Sequence, residues 1–149
     1  MLLGLPSAPA QNAPEAASTP EPQHEYNVKL AYLCNFMVYV TWSEEAPLPR
    51  DGVCIIGTLG GDPFQGELDR LAESQREIRG RKIVARHFAS VENYEPCHIL
   101  FVTKHAPIEH RNAALQTLRG RHVLLVGETP HFAATGGCVN FYQDGQNIR

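Results

Sequence analysis

Short apolar runs alternate with helical patterns along the chain from residue 25 onwards. The apolar runs have the length of strands, whereas several segments between them repeat apolar residues at intervals of three and four. The predicted strands are Val53–Ile56, Lys82–Phe88, His98–Thr103, His122–Gly127 and Cys138–Tyr142. The main predicted helices are Glu25–Trp42, Pro63–Ser74 and Pro107–Leu118. This alternation predicts a single α/β domain, a three-layer sandwich whose mostly parallel sheet of about five to six strands is flanked by helices. Asp144-Gly145 predicts an antiparallel hairpin at one edge.

The first strand and the turn after it are the clearest part of the pattern. Val53–Ile56 carries no charge, as expected for a strand covered on both faces. The glycines of residues 57–61 suit a tight turn because glycine adopts positive φ readily. Asp62 and Pro63 then supply an N-cap and a proline at the first helical position, with Gln65 at the capping-box spacing. A crossover helix is therefore predicted to begin at Pro63.

The first helical segment is unusually apolar. Between Leu30 and Val40 the only strongly polar side chain is that of Asn35. A helix that is apolar on all sides is either buried or spans a membrane, and this run is shorter than the roughly 18 residues of a span. The pattern predicts a buried core helix. Asn35 is then expected to bond a neighbouring loop, because an unpaired buried amide costs roughly 1–3 kcal/mol.

Length and charge exclude several classes of protein. The 149 residues suffice for one domain with a substantial core. The net charge of -3 gives no reason to expect nucleic acid as a partner. Four cysteines are too few for a disulfide scaffold in a chain of this length.

The two ends of the chain suggest missing sequence. Met1–Leu5 and the small residues after it resemble the end of a signal peptide, but they lack its basic region. A signal-peptide remnant and a disordered Ala/Pro tail are the two alternatives for residues 1–24, with a linker in either case and the folded domain at 25–149. The C-terminus is expected to be truncated, because the sequence stops as the return strand of the hairpin begins.

Four sequence blocks carry a resemblance to a known family. The first is the helix with Tyr32-Leu33-Cys34-Asn35-Phe36 that ends in Val40-Thr41-Trp42, and the second is the strand with Cys54 that runs into Gly61-Asp62-Pro63-Phe64. The third is Cys97-His98-Ile99-Leu100-Phe101, and the last extends from Val126-Gly127-Glu128-Thr129-Pro130-His131-Phe132 through Gly136-Gly137-Cys138-Val139-Asn140-Phe141. In this order the blocks resemble the YfiR family of small periplasmic proteins.

The resemblance implies an exported, non-enzymatic α/β protein without a cofactor. Its namesake represses a membrane-bound diguanylate cyclase and is sequestered by an outer-membrane lipoprotein. The expected partner here is therefore the sensor domain of an inner-membrane diguanylate cyclase, whose cyclic-di-GMP output the protein would lower. An outer-membrane lipoprotein and a second copy in a homodimer are further partners that the resemblance implies.

Cys54 and Cys97 are expected to form a disulfide. They stand near the starts of the first and third predicted strands, which are neighbours in a doubly wound sheet, and the resemblance favours the bond. The alternative is a pair of buried thiols in a reducing compartment. Cys34 and Cys138 are either free or form a second disulfide with each other. The resemblance would pair Cys138 with a cysteine at position 131, but this chain has His131 there.

A second functional hypothesis is a periplasmic receptor module for a small molecule. The carboxyl ends of the strands would then form a ligand crevice, lined by Thr58, Asp62, Thr103 and Glu128. The seven histidines show no metal-ligand spacing, and no serine lies in a Gly-x-Ser-x-Gly elbow. The sequence therefore predicts neither catalytic residues nor a metal site.

Overall fold

The computed structural model describes residues 22–149, which form one α/β domain. The helices are α1 (Pro22–Tyr39), α2 (Glu67–Glu73) and α3 (Ile108–Leu118), with single 3-10 turns at Val91–Asn93 and Ala133–Thr135. The strands are β1 (Val53–Leu59), β2 (Glu77–Ile78), β3 (Arg81–Phe88), β4 (Ile99–Val102), β5 (Leu124–Gly127), β6 (Val139–Asn140), β7 (Gln143–Asp144) and β8 (Asn147–Ile148).

The main sheet confirms the predicted fold class. Its strand order is β2-β3-β1-β4-β5-β6, and every neighbouring pair is parallel except β2 with β3. The chain crosses from β3 over β1 to β4, so the topological switch point lies between β1 and β4. At such a point the carboxyl ends of the strands usually open into a ligand crevice.

The antiparallel parts differ from the prediction in position. The Asp144-Gly145 turn does form a hairpin, but β7 and β8 make a two-stranded sheet of their own. The antiparallel edge strand of the main sheet is β2, in a segment that the sequence pattern had placed in a turn.

Two apolar clusters fill the space on either side of the sheet. Alternate side chains of β1 point to opposite faces, so Cys54 and Ile56 pack beneath α1 and α2 while Ile55 and Leu59 pack beneath α3. We call these sides the α1–α2 face and the α3 face. Strand β4 contributes to both clusters in the same way, which confirms the predicted three layers.

Two helix boundaries differ from the predicted ones. Asp62 accepts hydrogen bonds from the backbone N–H groups of Phe64 and Gly66 at 2.9 and 2.6 Å, which close a turn rather than a helix. Gln65 has a φ of 52°, so the α-helical conformation is interrupted and α2 begins only at Glu67. Helix α1 ends at Tyr39 rather than at Trp42. The predicted signal remnant lies outside the described residues, except that residues 22–24 belong to α1.

Candidate functional site

A buried ionic network joins α1 to the end of β5 at the carboxyl edge of the sheet. Glu128 directly follows β5, and its side chain is only 2% exposed. The carboxylate accepts hydrogen bonds from Tyr26 Oη at 3.1 Å, Lys29 Nζ at 2.5 Å and the backbone N–H of Lys104 at 2.8 Å. Three donors therefore balance one buried negative charge.

Lys29 is the cationic centre of this network. Its side chain is 5% exposed, and the ammonium group also forms an ion pair with Glu25 one helical turn earlier. The same ammonium lies 4.8 Å from the centroid of the Tyr26 ring. Burial and then the charge of Glu128 raise the pKa of Tyr26 above its ordinary value, so the hydroxyl remains a donor. The network anchors the N-terminal half of α1 to the carboxyl edge of the sheet.

Thr58 and Thr103, which were also predicted to line a crevice, form their hydrogen bonds within the protein. The buried hydroxyl of Thr58 lies 2.7 Å from Nδ1 of His87, whose Nε2 contacts Asp69 at 3.0 Å. Thr103 Oγ1 donates to the carbonyl oxygen of Gly60 at 3.0 Å. Thr58, His87 and Asp69 have the order of a catalytic triad, but Thr58 is fully buried in the sheet and no substrate could reach it.

One cavity remains near the switch point. It has a volume of about 410 Å³ and is lined by Tyr26, Gly60, Gly61, Asp62 and His105, among others. Of the four crevice residues named from the sequence, only Asp62 lines it, and both its oxygens already cap the turn before α2. The structure does not bring the four side chains together around an open space, so the ligand crevice stays a prediction.

A second cavity, of about 440 Å³, lies at the opposite end of the sheet beneath the segment that joins α1 to β1. Its walls include Trp42 and His98, together with two arginines and two carboxylates, Arg50, Arg81, Glu44 and Asp51. The opposite charges balance, so the lining favours neither an anionic nor a cationic ligand. No group of histidines, cysteines and carboxylates suited to a metal ion occurs within residues 22–149.

The predicted Cys54–Cys97 disulfide is not formed in this structure. Strands β1 and β4 are neighbours as predicted, but Cys54 lies in the cluster on the α1–α2 face and Cys97 in the cluster on the α3 face. Cys97 precedes β4, so strand alternation does not govern its side chain, which interacts with the Tyr94 hydroxyl and lies near Gly57. All four thiols are free in this structure.

The cysteine prediction therefore needs a chemical test. Burial raises the pKa of the Cys54 and Cys97 thiols to about 12, and a thiol reacts through its thiolate. The bond would therefore have to form before the sheet closes. The intact mass of protein recovered from the periplasm is expected to be lower by two hydrogens than after reduction, with Cys54 and Cys97 in one linked peptide. Alkylation of both residues without reductant would exclude the bond.

The outward side of α1 carries an uncharged surface. From Leu30 to Ser43 the sequence has no acidic or basic residue, yet only one side of this part of the helix is buried. Tyr32, Val38 and Tyr39 are exposed, Tyr39 by 80%. Asn35 lies on the same side and is exposed, so the predictions of an all-round buried helix and of an Asn35 bond to a loop are wrong. We call Tyr32, Asn35, Val38 and Tyr39 the α1 outer face.

An exposed helix side without charge is unusual, because the outward side of a solvated helix is normally polar. Exposed apolar area that is not scattered often marks a protein interaction site. Tyr32 also rests on the ring of Phe141 at 5.8 Å between centroids, which ties the α1 outer face to the last block of the fold. The arrangement suits protein binding better than chemistry on a substrate.

The structure combines a doubly wound sheet with an uncharged helix side that faces outward. The chain belongs to the YfiR/HmsC-like family, whose sequence profile matches residues 26–149. The family consists of non-catalytic regulatory proteins of the periplasm. Among curated proteins, none shows significant similarity to the chain.

Within residues 22–149 no helix is both long enough and apolar enough to cross a bilayer.

The sequence did not predict that Tyr26 and Lys29 of α1 bond Glu128. Lys29 and Glu25 stand at the i,i+4 spacing of a helical ion pair, which was visible in the sequence, but nothing local connected them with Glu128. The contact between His87 and Asp69 gave no signal either, because the two residues lie on different elements.

Proposed function

We propose that this protein is an exported regulator that binds the sensor portion of an inner-membrane diguanylate cyclase and represses it. The observation that carries the proposal is the family match over residues 26–149. Repression requires only that the protein bind the inactive state of the cyclase more tightly than the active state, which shifts the equilibrium of the enzyme. An outer-membrane lipoprotein that binds the regulator would relieve the repression.

The α1 outer face is the surface that we assign to the cyclase. Aromatic side chains are enriched at protein interfaces, and charged ones are depleted from interface cores. The α1 outer face has this composition. Helix α1 is fixed at both ends. The bond between Lys29 and Glu128 holds its N-terminal half, and the ring of Phe36 stacks on that of Phe141, with centroids 6.2 Å apart, near its C-terminal end. A rigid helix limits the entropy lost on binding.

Coexpression tests the proposal. Exported to the periplasm of a strain that carries a cognate cyclase, the protein is expected to lower cellular cyclic-di-GMP, and it should leave the level unchanged in the same strain without the cyclase. Mass spectrometry of cell extracts measures the nucleotide. Unchanged cyclic-di-GMP with the cyclase present would refute the proposed function.

A charge on the α1 outer face is expected to abolish this effect. Tyr39→Lys places an ammonium group where the cyclase would bind, and a desolvated charge without a partner disfavours association. The matched control is Gln116→Lys, since Gln116 is exposed near the C-terminal end of α3. Both variants should keep the wild-type melting temperature. Equal repression by the two variants would exclude the α1 outer face as the docking surface.

A further inference from the structure

His98 joins the segment between α1 and β1 to the sheet. His98 is 2% exposed, and its Nδ1 accepts a hydrogen bond from the backbone N–H of Ile55 at 3.0 Å. Its own carbonyl oxygen accepts the indole N–H of Trp42 at 3.1 Å. The two rings meet edge-on, with centroids 5.1 Å apart and planes at 85°.

These contacts fix the tautomer of the imidazole. Because Nδ1 accepts a bond from a backbone N–H, the ring proton lies on Nε2, which donates to the carbonyl oxygen of Pro49. In the neutral ring both nitrogens have a partner. In a protonated ring, Nδ1 would also carry a hydrogen and would face the N–H of Ile55, so the bond to Ile55 must break.

The charges around the ring do not favour its protonated form. Burial has the largest effect on the ring and lowers the pKa of His98. The guanidinium of Arg81 on β3 also lowers this pKa, whereas the carbonyl of Pro49 raises it. Cys54 on β1 is neutral, because burial raises the pKa of its thiol. The segment above the ring contributes Glu44, Arg50 and Asp51, all exposed. Exposed His122 lies near Trp42 on the far side.

We propose that His98 is an acid-sensitive latch between β1 and the start of β4: protonation of its ring breaks the bond to Ile55 and frees Ile55 from His98, while the bonds of Trp42 and Pro49 to His98 stay formed. Trp42 and Pro49, which both bond His98, follow the α1 outer face in the chain. The latch does not depend on the proposed cyclase function, because the contacts that carry it lie within this chain.

The direction of the pH effect follows from linkage. The unfolded chain takes up a proton at histidine near the ordinary pKa of about 6.5, whereas folded His98 takes it up only at lower pH. The unfolded state therefore binds more protons between these two values. The stabilisation from the latch is complete above about pH 6.5 and is lost as the pH falls towards the lower, folded-state pKa.

Trp42 allows a direct test, because it is the only tryptophan in the chain. When the full-length protein is titrated from about pH 8 to about pH 4, its fluorescence is expected to change in one step below the usual histidine range, because the His98 ring that becomes charged lies edge-on against the indole. In His98→Asn the amide oxygen can accept the Ile55 N–H without titrating, so this step should disappear. The matched control His122→Asn should keep it.

Two outcomes would overturn the latch. One is a step of equal size and midpoint in His98→Asn and in the wild type. The other needs no variant: in the wild-type protein, the ¹⁵N–¹H signal of Ile55 should move over the same pH range and its amide should lose protection from hydrogen exchange. An Ile55 amide that stays protected through the fluorescence step would exclude the latch even if His98→Asn fails to fold.

Discussion

Glu128→Ala is expected to lower the free energy of unfolding by about 3–5 kcal/mol, the usual loss when one member of a buried ion pair is removed. The substitution leaves Lys29 with Glu25 as its one carboxylate partner, and it removes the acceptor of Tyr26 Oη and of the Lys104 N–H. Urea unfolding followed by circular dichroism measures the change.

The chain offers a matched control for this prediction. Glu67 also pairs with a cation, Arg70 at 2.5 Å, but both side chains of that pair are largely exposed. Glu67→Ala should therefore lower stability far less than Glu128→Ala, since solvent screens an exposed pair. Equal losses for the two glutamates would mean that the network at Glu128 behaves like a surface ion pair.

Gly127→Ala is the second substitution with a large expected effect. Phe132 packs on Gly127 from one side and on Gly137 from the other, and a methyl group at either position would overlap its ring. The ring is only 2% exposed, so it has no free space to move into. Overpacking of this kind costs about 1–3 kcal/mol. Thermal and urea unfolding of the variant give the value.

A double-mutant cycle distinguishes overlap from a backbone effect. Phe132→Leu should remove much of the cost of Gly127→Ala, so the two changes together should be less destabilising than their sum. Gly80→Ala is the contrasting case, since Gly80 has a φ of +76° and open space around it. Its cost of about 1–2 kcal/mol arises from the left-handed backbone and should not respond to Phe132→Leu. Additivity in the first pair would contradict the packing of Phe132 on Gly127.

The sequence predicted the elements whose environment is uniform. Strands β1, β4 and β5 are covered on both faces, so continuous apolar runs marked them. The strand order of a doubly wound sheet correctly predicted that β1 lies beside β4. Strand β2 was missed because it has two residues, and its pairing with β3 depends on the turn at Gly80 rather than on an apolar pattern. The start of α2 was misplaced because nothing in the sequence shows that Gln65 adopts positive φ.

The candidate site was harder to predict for a different reason. An apolar helix has the same sequence pattern whether its second side packs on the core or faces outward, so the pattern did not reveal the α1 outer face. Lys29 and Glu128 are 99 positions apart, and Trp42 and the carbonyl it bonds, that of His98, are 56 positions apart. Local patterns do not record such contacts; only the closed fold brings them together.

The anchoring of α1 to Glu128 also bears on the order of folding. Tyr26 and its acceptor are 102 positions apart, and Ile148 of β8 lies in the same cluster as Leu33 of α1. Helix α1 leaves the ribosome before the other described elements and is thus among the last to find its partners, because contacts of high sequence separation close late. Until then its apolar side stays exposed, which makes the nascent chain a substrate for chaperones and prone to aggregation. For a protein exported as proposed here, the same delay keeps the chain loose enough to be threaded across the inner membrane before it closes.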